Sequence, residues 1–153
     1  MAHSLRELSW TTNPRCDNVG SLGVFLGELT ERFCAAAGLE CKLELPPAND
    51  TRVVPATVRH DLLVLVKESL ANAAKHAHAR SISLQVTAAA GELRLAVQDD
   101  GGGFDVARAH GGSGLRNLRE RLEQAGGRFE VSSAPAQGTV ITAAIPLGEP
   151  KKI

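Results

Sequence analysis

A glycine-rich segment in the second half of the chain has the composition of an anion-binding site. Gly111-Gly112-Ser113-Gly114 opens a stretch with helical periodicity, so free backbone N–H groups and the positive end of that helix would face a common point. The segment does not match GxxxxGK[ST], and Gly112-Ser113-Gly114-Leu115-Arg116 lacks the third glycine of GxGxxG. It therefore favours phosphate binding by a nucleotide fold other than a P-loop or a Rossmann domain.

A second glycine-rich segment, Asp99-Asp100-Gly101-Gly102-Gly103-Phe104, directly follows a predicted strand. It places a carboxylate at the strand end and then backbone without side chains, to which a flat ring could approach closely. Taken alone, the same residues could also form a β-turn or a calcium-binding type of loop. The rest of the chain has to decide between these interpretations.

A polar helix face is the third candidate for chemistry. Glu68, Asn72 and Lys75 stand at spacings of four and three residues, so they share one face of a helix while its apolar residues point the other way. Three polar groups would then converge on one spot. A solvated helix face with an incidental glutamate–lysine pair is the alternative interpretation.

Three helices and about five strands must position these residues. The helices are predicted from Ser21 to Ala37, from about Ala56 to Ala79 and from about Leu115 to Ala125, with Gly38 and Gly126-Gly127 as C-terminal caps. The strands are predicted at 41–45, 81–88, 92–98, 129–133 and 139–147, with a hairpin at 89–91. The second helix has a predicted buried stripe: Val58, Leu62, Leu63, Val66, Leu70, Ala73, Ala74 and Ala77. This order of elements predicts an α/β layer sandwich.

Composition limits the possible classes of function. The chain has 153 residues, 43% of them hydrophobic and 22% charged, as expected for one domain with a proper core. Basic and acidic residues both number 17, so no summed charge attracts nucleic acid or an anionic membrane. The three cysteines form no CxxC pair, which predicts neither a disulfide framework nor a zinc site and favours a reducing cytoplasm. No run approaches the roughly 18 apolar residues of a membrane span, and the N-terminus is unlike a signal peptide.

The three candidate segments resemble the sequence boxes of one ATPase family. KESLANAAKHA resembles the N box of the GHKL ATPases, DDGGGF their G1 box and GSGLRN their G2 box, and the boxes come in the family's order. GTVITAAIPL is similar to the family's closing GT strand. LRELSWTTNP is similar to the segment that joins the dimerisation hairpin to the catalytic domain in histidine kinases acting on LuxR-type response regulators.

The resemblance covers nearly the whole chain and implies the ATP-binding catalytic domain of a sensor histidine kinase. The implied fold is the Bergerat fold, a two-layer α/β sandwich in which a mixed sheet packs against the helices beneath a glycine-rich ATP lid at about 104–112. Residues 1–16 would be the end of the dimerisation helix and its linker, 17–148 the catalytic domain and 149–153 a polar end.

The implied cofactors are ATP and Mg²⁺, and the resemblance gives the principal residues their roles. Asp99 would accept a hydrogen bond from the adenine N6 amine, with Thr139 assisting on the same edge through its hydroxyl or a water. Asn72 would offer an amide oxygen to Mg²⁺. Glu68 matches the position that activates water in hydrolytic members, and support of the magnesium ion is its alternative role.

The triphosphate would be held by charge and by backbone N–H groups. Lys75 and the N–H groups of residues 112–115 would balance its negative charge, while Asn117 would order the loop or touch phosphate. The nucleotide-binding set implied by the resemblance is completed by His76, Gly101, Gly103, Gly112, Ser113, Gly114 and Leu115.

The phosphate-accepting histidine is predicted to lie outside the chain. Arg59-His60-Asp61 superficially resembles a phosphoacceptor pair, but His60 precedes Glu68 by two turns of the same helix, about 12 Å along its axis at ~1.5 Å per residue. His76 and His78 point some 200° apart on a helix and do not make a metal pair. His3 and His110 have no context that suggests an acceptor.

The implied partners are the dimerisation and phosphoacceptor domain of the same kinase and a response regulator. No contact with nucleic acid or directly with a membrane is expected, and the location would be cytoplasmic, either free or as part of a membrane-bound receptor. The isolated domain would be a monomer and its parent a homodimer. The competing functions are a free-standing anti-sigma-type serine kinase, an ATP-driven clamp and a nucleotide-sensing module without transfer activity.

Overall fold

A computed structural model of the chain describes residues 17–76, 79–102, 113–134 and 136–147. The elements in these ranges are α1 (Val19–Ala37), β1 (Glu40–Glu44), α2 (Ala56–His76), β2 (Ser81–Ala89), β3 (Glu92–Asp99), α3 (Ser113–Gln124), β4 (Arg128–Ser133) and β5 (Thr139–Pro146). The three helices and five strands predicted from periodicity are confirmed, with ends that differ by a few residues. The dimerisation-helix and linker segment predicted at 1–16, the predicted ATP lid and the predicted polar C-terminus lie outside the described residues.

The five strands form one mixed sheet in the order β1-β2-β3-β5-β4. β1 runs parallel to β2, and the other neighbours are antiparallel. Alternate residues of the central strands are buried on one face, where cross-strand partners such as Leu84 and Val97 meet, while the other face is more exposed. The three helices cover the buried face, which gives the predicted two-layer sandwich.

The β2–β3 hairpin has a tighter turn than the sequence suggested. Ala89 pairs with Glu92, so only Ala90 and Gly91 lie between the strands. Their φ angles are 54° and 72°, as a type I′ turn requires at both central positions. The turn's twist matches that of the flanking strands, and the hairpin thereby fixes the register that carries β3 to Asp99 at its far end.

Helix α1 begins and ends at well-defined caps. The Asn18 side chain accepts a hydrogen bond from the Ser21 N–H at 2.8 Å. At the other end Gly38 has a φ of 71° and donates its N–H to the Cys34 carbonyl, which confirms the glycine cap predicted from the sequence. The helix lies against β1 and β2 through a face that includes small residues, and its first turns are tied to the loop before α2 by the Val19 and Gly20 N–H groups.

Helix α2 is the central helix of the helical layer, with α1 and α3 packed on its two sides. The predicted stripe is confirmed from Val58 to Ala73, whereas Ala74 is exposed and Ala77 lies outside the described residues. Ala74 points about 100° away from Ala73, so it leaves the covered arc of the helix. Leu65, which periodicity did not select, is also fully buried, so the covered arc of α2 is wider there than the predicted stripe.

Helices α2 and α3 run antiparallel. Asp61 in the second turn of α2 contacts Arg121 in the last turn of α3, with Nη1 and Oδ1 3.3 Å apart. From that contact α2 continues for about 16 Å to Asn72, and α3 extends back for about 12 Å to Ser113, at ~1.5 Å per residue. The start of α3 therefore lies beside the C-terminal turns of α2.

No helix in the described ranges is long and apolar enough to cross a bilayer.

Candidate functional site

Four strand ends meet at one edge of the sheet. Asp99, the last residue of β3, pairs with Ile82 near the start of β2 and with Thr139 at the start of β5. Thr139 pairs in turn with Ser133 at the end of β4. Asp99 follows the buried residues Val97 and Leu95 at the two-residue period of a strand, so its side chain points to the face that the helices cover. The carboxylate thus stands at the mouth of the space between the two layers.

The helix ends that carry the other predicted residues lie at the same edge. Only residues 77–80 separate the end of α2 from Ser81 at the start of β2, which keeps the last turns of α2 beside the end of β3. Asn72 is one turn before that helix end, and the antiparallel arrangement brings the start of α3 next to it. The fold therefore gathers the N-box, G1-box, G2-box and GT segments at one edge of the sandwich.

Asp99 is a buried carboxylate with an oriented side chain. It is 9% exposed, and its Oδ1 accepts a hydrogen bond from the Gly101 N–H at 2.9 Å. Burial raises the pKa of Asp99, and the nearby Asp100 charge acts in the same direction, while hydrogen bonds from the backbone N–H groups of Gly101 and Thr139 oppose the rise. Such a carboxylate suits recognition of a single donor group on a ligand that reaches the edge.

The turn before β5 packs directly on the Asp99 backbone. Gly138 has a φ of 74°, and a Cβ built at this position would come well inside 3.0 Å of the Asp99 carbonyl oxygen. The same turn donates the Ala136 N–H to the Gly102 carbonyl. Only glycine permits so close an approach, which explains why a glycine precedes Thr139. The turn thereby supports the segment from Asp99 to Gly102 on one side.

The Thr139 hydroxyl is part of a short hydrogen-bonded chain. The Ser133 hydroxyl donates to the Gly138 carbonyl at 3.1 Å and lies 2.8 Å from the Thr139 hydroxyl. Because the Ser133 hydrogen is directed to the carbonyl, Thr139 donates to Ser133, and the lone pairs of its own Oγ1 are acceptors for an amine or a water. Thr139 and Asp99 are cross-strand neighbours, and both side chains are buried on the same face of the sheet.

Asp100 makes contacts that sequence reasoning did not identify. Its Oδ1 accepts the backbone N–H groups of Arg80 at 2.7 Å and Ser81 at 2.9 Å, and its Oδ2 accepts the Ser81 hydroxyl at 3.0 Å. These hydrogen bonds lower the pKa of Asp100. The second aspartate of DDGGGF was the available signal, since a carboxylate at a turn is suited to accepting backbone N–H groups.

The polar face of α2 fits a weakly held, mostly hydrated divalent ion. Glu68 is exposed and Asn72 is half-buried one turn further on, while the side chains of Lys75 and His76 lie outside the described part. No cluster of three or more histidine, cysteine or acidic residues suited to a metal occurs among the described residues. A hard ion bound here would take most of its ligands from waters and ligand phosphates, so the amide oxygen of Asn72 as a magnesium ligand stays a prediction.

The start of α3 is only partly described at the level of side chains. The helix begins at Ser113, as the anion-site prediction requires, but the side chain of Ser113 and all of Gly103 and Gly112 lie outside the described residues. Leu115 is half-buried and packs against the hydrophobic core, so its predicted contribution would come from its backbone. Asn117 is exposed on the following turn.

A cleft of about 650 Å³ lies at the opposite ends of α2 and α3. Its lining includes His60, Asp61, Arg121 and Gln124, and it contains none of the predicted site residues. Concavity alone would have pointed to this cleft. The buried, oriented Asp99 carboxylate is instead at the other end of the helices, so the candidate chemistry lies outside this cleft.

Known proteins with similar sequences include sensor histidine kinases. The family described as histidine kinase-, DNA gyrase B-, and HSP90-like ATPase matches residues 57–149. The sensor histidine kinase LnrJ of Bacillus subtilis is 32% identical over 135 residues, which cover 88% of this chain and 33% of LnrJ. The nitrate/nitrite sensor protein NarQ of Escherichia coli is 32% identical over 143 residues, 90% of this chain and 24% of NarQ. The chain thus spans a third or less of the length of these two relatives.

Solved structures with a similar fold include two histidine kinases. The histidine kinase domain of the Erythrobacter litoralis EL346 blue-light activated histidine kinase has a TM-score of 0.66 and 27% identity, covering 82% of this chain and 61% of that domain. The Acinetobacter baumannii histidine kinase AdeS has a TM-score of 0.64 over 97% of this chain and 77% of its own, and at 17% identity it supports the fold alone. The α/β sandwich predicted from the sequence is confirmed by these likenesses.

Proposed function

Because the chain belongs to the histidine kinase-, DNA gyrase B-, and HSP90-like ATPase family, we propose that it is the ATP-binding catalytic domain of a sensor histidine kinase. It binds Mg-ATP at the sheet edge around Asp99 and directs the γ-phosphoryl group to a histidine on a dimerisation domain outside this chain. A LuxR-type response regulator then receives the phosphoryl group on an aspartate. The observation that carries the proposal is the buried, oriented Asp99 carboxylate beside the adjoining ends of α2 and α3.

Asp99 selects adenine because only an exocyclic amine can satisfy its acceptor on that edge. Adenine carries N6–H₂ where guanine carries a carbonyl oxygen, which would face a carboxylate with no hydrogen between them. Thr139 adds acceptor lone pairs on the same buried face. The exposed backbone at Gly102 leaves room for a flat ring close to the loop. Leaving an unpaired buried carboxylate beside the wrong base would supply the discrimination.

The ends of α2 and α3 hold the phosphates. The N–H groups in the first turn of α3 present a positive helix end, whereas the C-terminal end of α2 is negative and needs cations for compensation. Lys75 and His76 stand in the last turn of α2 and supply that charge. Asn72 contributes its amide oxygen to Mg²⁺ without adding negative charge near the triphosphate. Bound Mg-ATP supplies the phosphoryl group that is transferred.

Glu68 acts in support of the magnesium site rather than as a base for water. Its side chain is exposed one turn before Asn72, where it can bind waters of a hydrated ion. A kinase must deliver phosphate to an amino acid side chain and should suppress attack by water. The same acidic residue at this point would therefore contribute more to ion placement than to hydrolysis.

The acceptor histidine comes from outside the catalytic domain. His60 is exposed near the start of α2 and lines the distant cleft. It precedes Asn72 by about 18 Å along a rigid helix at ~1.5 Å per residue, so the domain cannot align it with its own γ-phosphate. The partners are accordingly a dimerisation domain with the phosphoacceptor histidine and the response regulator, with the reaction taking place in the cytoplasm.

Two measurements test this proposal. Calorimetric titration of the chain with ATP and GTP, in Mg²⁺ and in EDTA, should give magnesium-dependent binding that is selective for ATP. Equal affinity for ATP and GTP would refute the adenine site. A longer protein that joins this chain to a dimerisation domain with a phosphoacceptor histidine should acquire phosphate that is labile in acid and stable in base, as phosphohistidine is. Acid-stable phosphate on a serine of a partner protein would instead favour an anti-sigma-type kinase.

A further inference from the structure

Asp100 connects two segments that lie 20 residues apart in the chain. Its carboxylate accepts two backbone N–H groups, those of Arg80 and Ser81, and the Ser81 hydroxyl. All three partners stand at the entrance to β2, directly after the segment that follows α2. The contacts are made by an exposed side chain and involve no cationic group, so their value lies in geometry more than in charge.

The backbone of Arg80 and Ser81, which Asp100 contacts, is itself held by the sheet. The Arg80 peptide donates its N–H to Asp100, and its carbonyl accepts the Glu40 N–H from the start of β1 at 2.9 Å. Ser81 is the first residue of β2 and pairs with Glu40 in the parallel register. Two strands of the sheet therefore hold the peptide groups that hold Asp100.

The opposite side of the same loop is held by the turn before β5. The Ala136 N–H donates to the Gly102 carbonyl, and Gly138 lies against the Asp99 backbone. Between these two attachments the Asp99 carboxylate is aligned by the Gly101 N–H. The loop from Asp99 to Gly102 is thus fixed at both flanks, and Asp100 makes the attachment on the side of α2.

We propose that Asp100 is a positioning residue for adenine recognition. It fixes the Asp99 backbone relative to the end of α2, so that the distance and orientation between the Asp99 carboxylate and the polar face of α2 that carries Asn72 stay constant. The inference rests on the ATP binding proposed above. Asp100 itself does not touch the nucleotide. It acts through the peptide groups of Arg80 and Ser81, and its removal should impair base selection more than folding, because the released N–H groups are exposed to water.

Substitutions at Asp100 separate geometry from charge. Asp100→Asn keeps an oxygen for the two N–H groups and offers an amide N–H to the Ser81 hydroxyl, so it should preserve the anchor without the charge. Asp100→Ala removes all three contacts. Ser81→Ala removes only the contact to Oδ2 and should give a smaller loss in the same direction. A matched control is Glu92→Ala, which removes a carboxylate that contacts Arg94 and Arg128 at the other end of β3.

The test measures ATP and GTP affinity by calorimetry in Mg²⁺, together with thermal unfolding of each variant. Asp100→Ala should weaken ATP binding about 3- to 10-fold and narrow the ATP-to-GTP preference by a similar factor, as expected for a residue that acts without touching the ligand. The ATP affinity and the ATP-to-GTP preference of Asp100→Asn should stay within about twofold of the wild type, because asparagine keeps the hydrogen bonds to the backbone of Arg80 and Ser81. Glu92→Ala should leave the preference unchanged.

Each alternative result has a definite meaning. Wild-type preference in folded Asp100→Ala would overturn the inference, as would an Asp100→Asn variant as weak as the alanine variant, because charge would then carry the effect. A wild-type chain that binds no ATP would refute the proposed function and the inference with it. Should Asp100→Ala fail to fold, the ratio of ATP to GTP affinity in Ser81→Ala and Asp100→Asn replaces it as the test. A wild-type ratio in Ser81→Ala would then contradict the proposed positioning role of Asp100.

Discussion

Replacing Gly138 by alanine should damage the fold and the candidate nucleotide site together. The residue has a φ of 74°, and a Cβ at this position would be well inside 3.0 Å of the Asp99 carbonyl oxygen and 3.3 Å from the Asp100 Cα. Both neighbours are backbone atoms, which cannot swing away as a side chain would. The turn before β5 or the loop that follows β3 must therefore move by roughly half an ångström or more.

The cost has two separable parts. A left-handed backbone conformation costs an L-residue roughly 1–2 kcal/mol, of which about 0.4–1 kcal/mol is recovered because alanine restricts the unfolded chain. Overpacking against fixed backbone adds about 1–3 kcal/mol. The free energy of unfolding should therefore fall by about 2–4 kcal/mol in total, a large fraction of the stability of an ordinary domain.

Gly91→Ala is the matched control. Gly91 has nearly the same φ, 72°, but nothing lies within 4 Å of a Cβ placed there. It should lose only about 1 kcal/mol, the conformational part of the cost. It stands in the β2–β3 turn, at the opposite end of β3 from Asp99, so ATP binding should be unchanged.

Urea unfolding followed by far-UV circular dichroism gives the two free energies, and calorimetry gives the two ATP affinities. The expected difference in stability between the variants is about 1–3 kcal/mol, the packing term alone. Equal losses, within about 0.5 kcal/mol, would refute the close approach of the turn to Asp99, since that is roughly the resolution of additive comparisons. Undiminished ATP affinity in Gly138→Ala would refute the link between this turn and the site.

Three further results are expected. Burial raises the folded-state pKa of Asp99 above 3.8, so its stabilising contribution is present below that pH and lost as the pH rises through the raised pKa. Asp99→Asn should then have a larger free energy of unfolding in urea than the wild type at pH 7, and this difference should vanish near pH 3.5. The variant should also lose roughly 1.5–3 kcal/mol of ATP affinity. A stability difference that grows as the pH falls would contradict the raised pKa of Asp99. Asn72→Ala should abolish the gain in ATP affinity from Mg²⁺ over EDTA at an unchanged melting temperature, and a retained gain would remove Asn72 from the metal site. Burial raises the pKa of the Cys34 thiol to about 12, so iodoacetamide should modify Cys34 only after unfolding, and mass spectrometry showing rapid modification of folded protein at pH 8 would contradict this burial.

Local patterns in the sequence were sufficient for the elements and for the family. Alternation located the strands, three-and-four spacing located the helices, and Gly38 marked the end of α1 because only a left-handed residue closes that cap well. Each of these signals acts within a few residues of chain. The ordered boxes identified the family in the same way, because each box is a continuous segment whose residue types meet one chemical need.

Some features could not be predicted because they depend on which distant segments pack together. Ala74 looked as apolar as Ala73 but lies outside the arc that α1 and α3 cover, and Leu65 lies inside it. Nothing near Asp61 in the chain indicated Arg121, its partner across the helical layer. Periodicity reports the faces of an element but not the width of the surface that neighbouring elements cover.

The sequence by itself determined the elements and the ATPase family, and it indicated Asp99 and Asn72 as candidate ATP-binding residues. Only the tertiary structure decided that β3, β5 and the ends of α2 and α3 meet at one edge, that Gly138 must be glycine and that Asp100 anchors the loop to β2. The physical reason is that these contacts join residues 19 to 40 positions apart, whose approach is set by sheet register and helix packing. Residue types indicate which chemistry is possible, and the packing of remote segments determines where in the fold those residues come together.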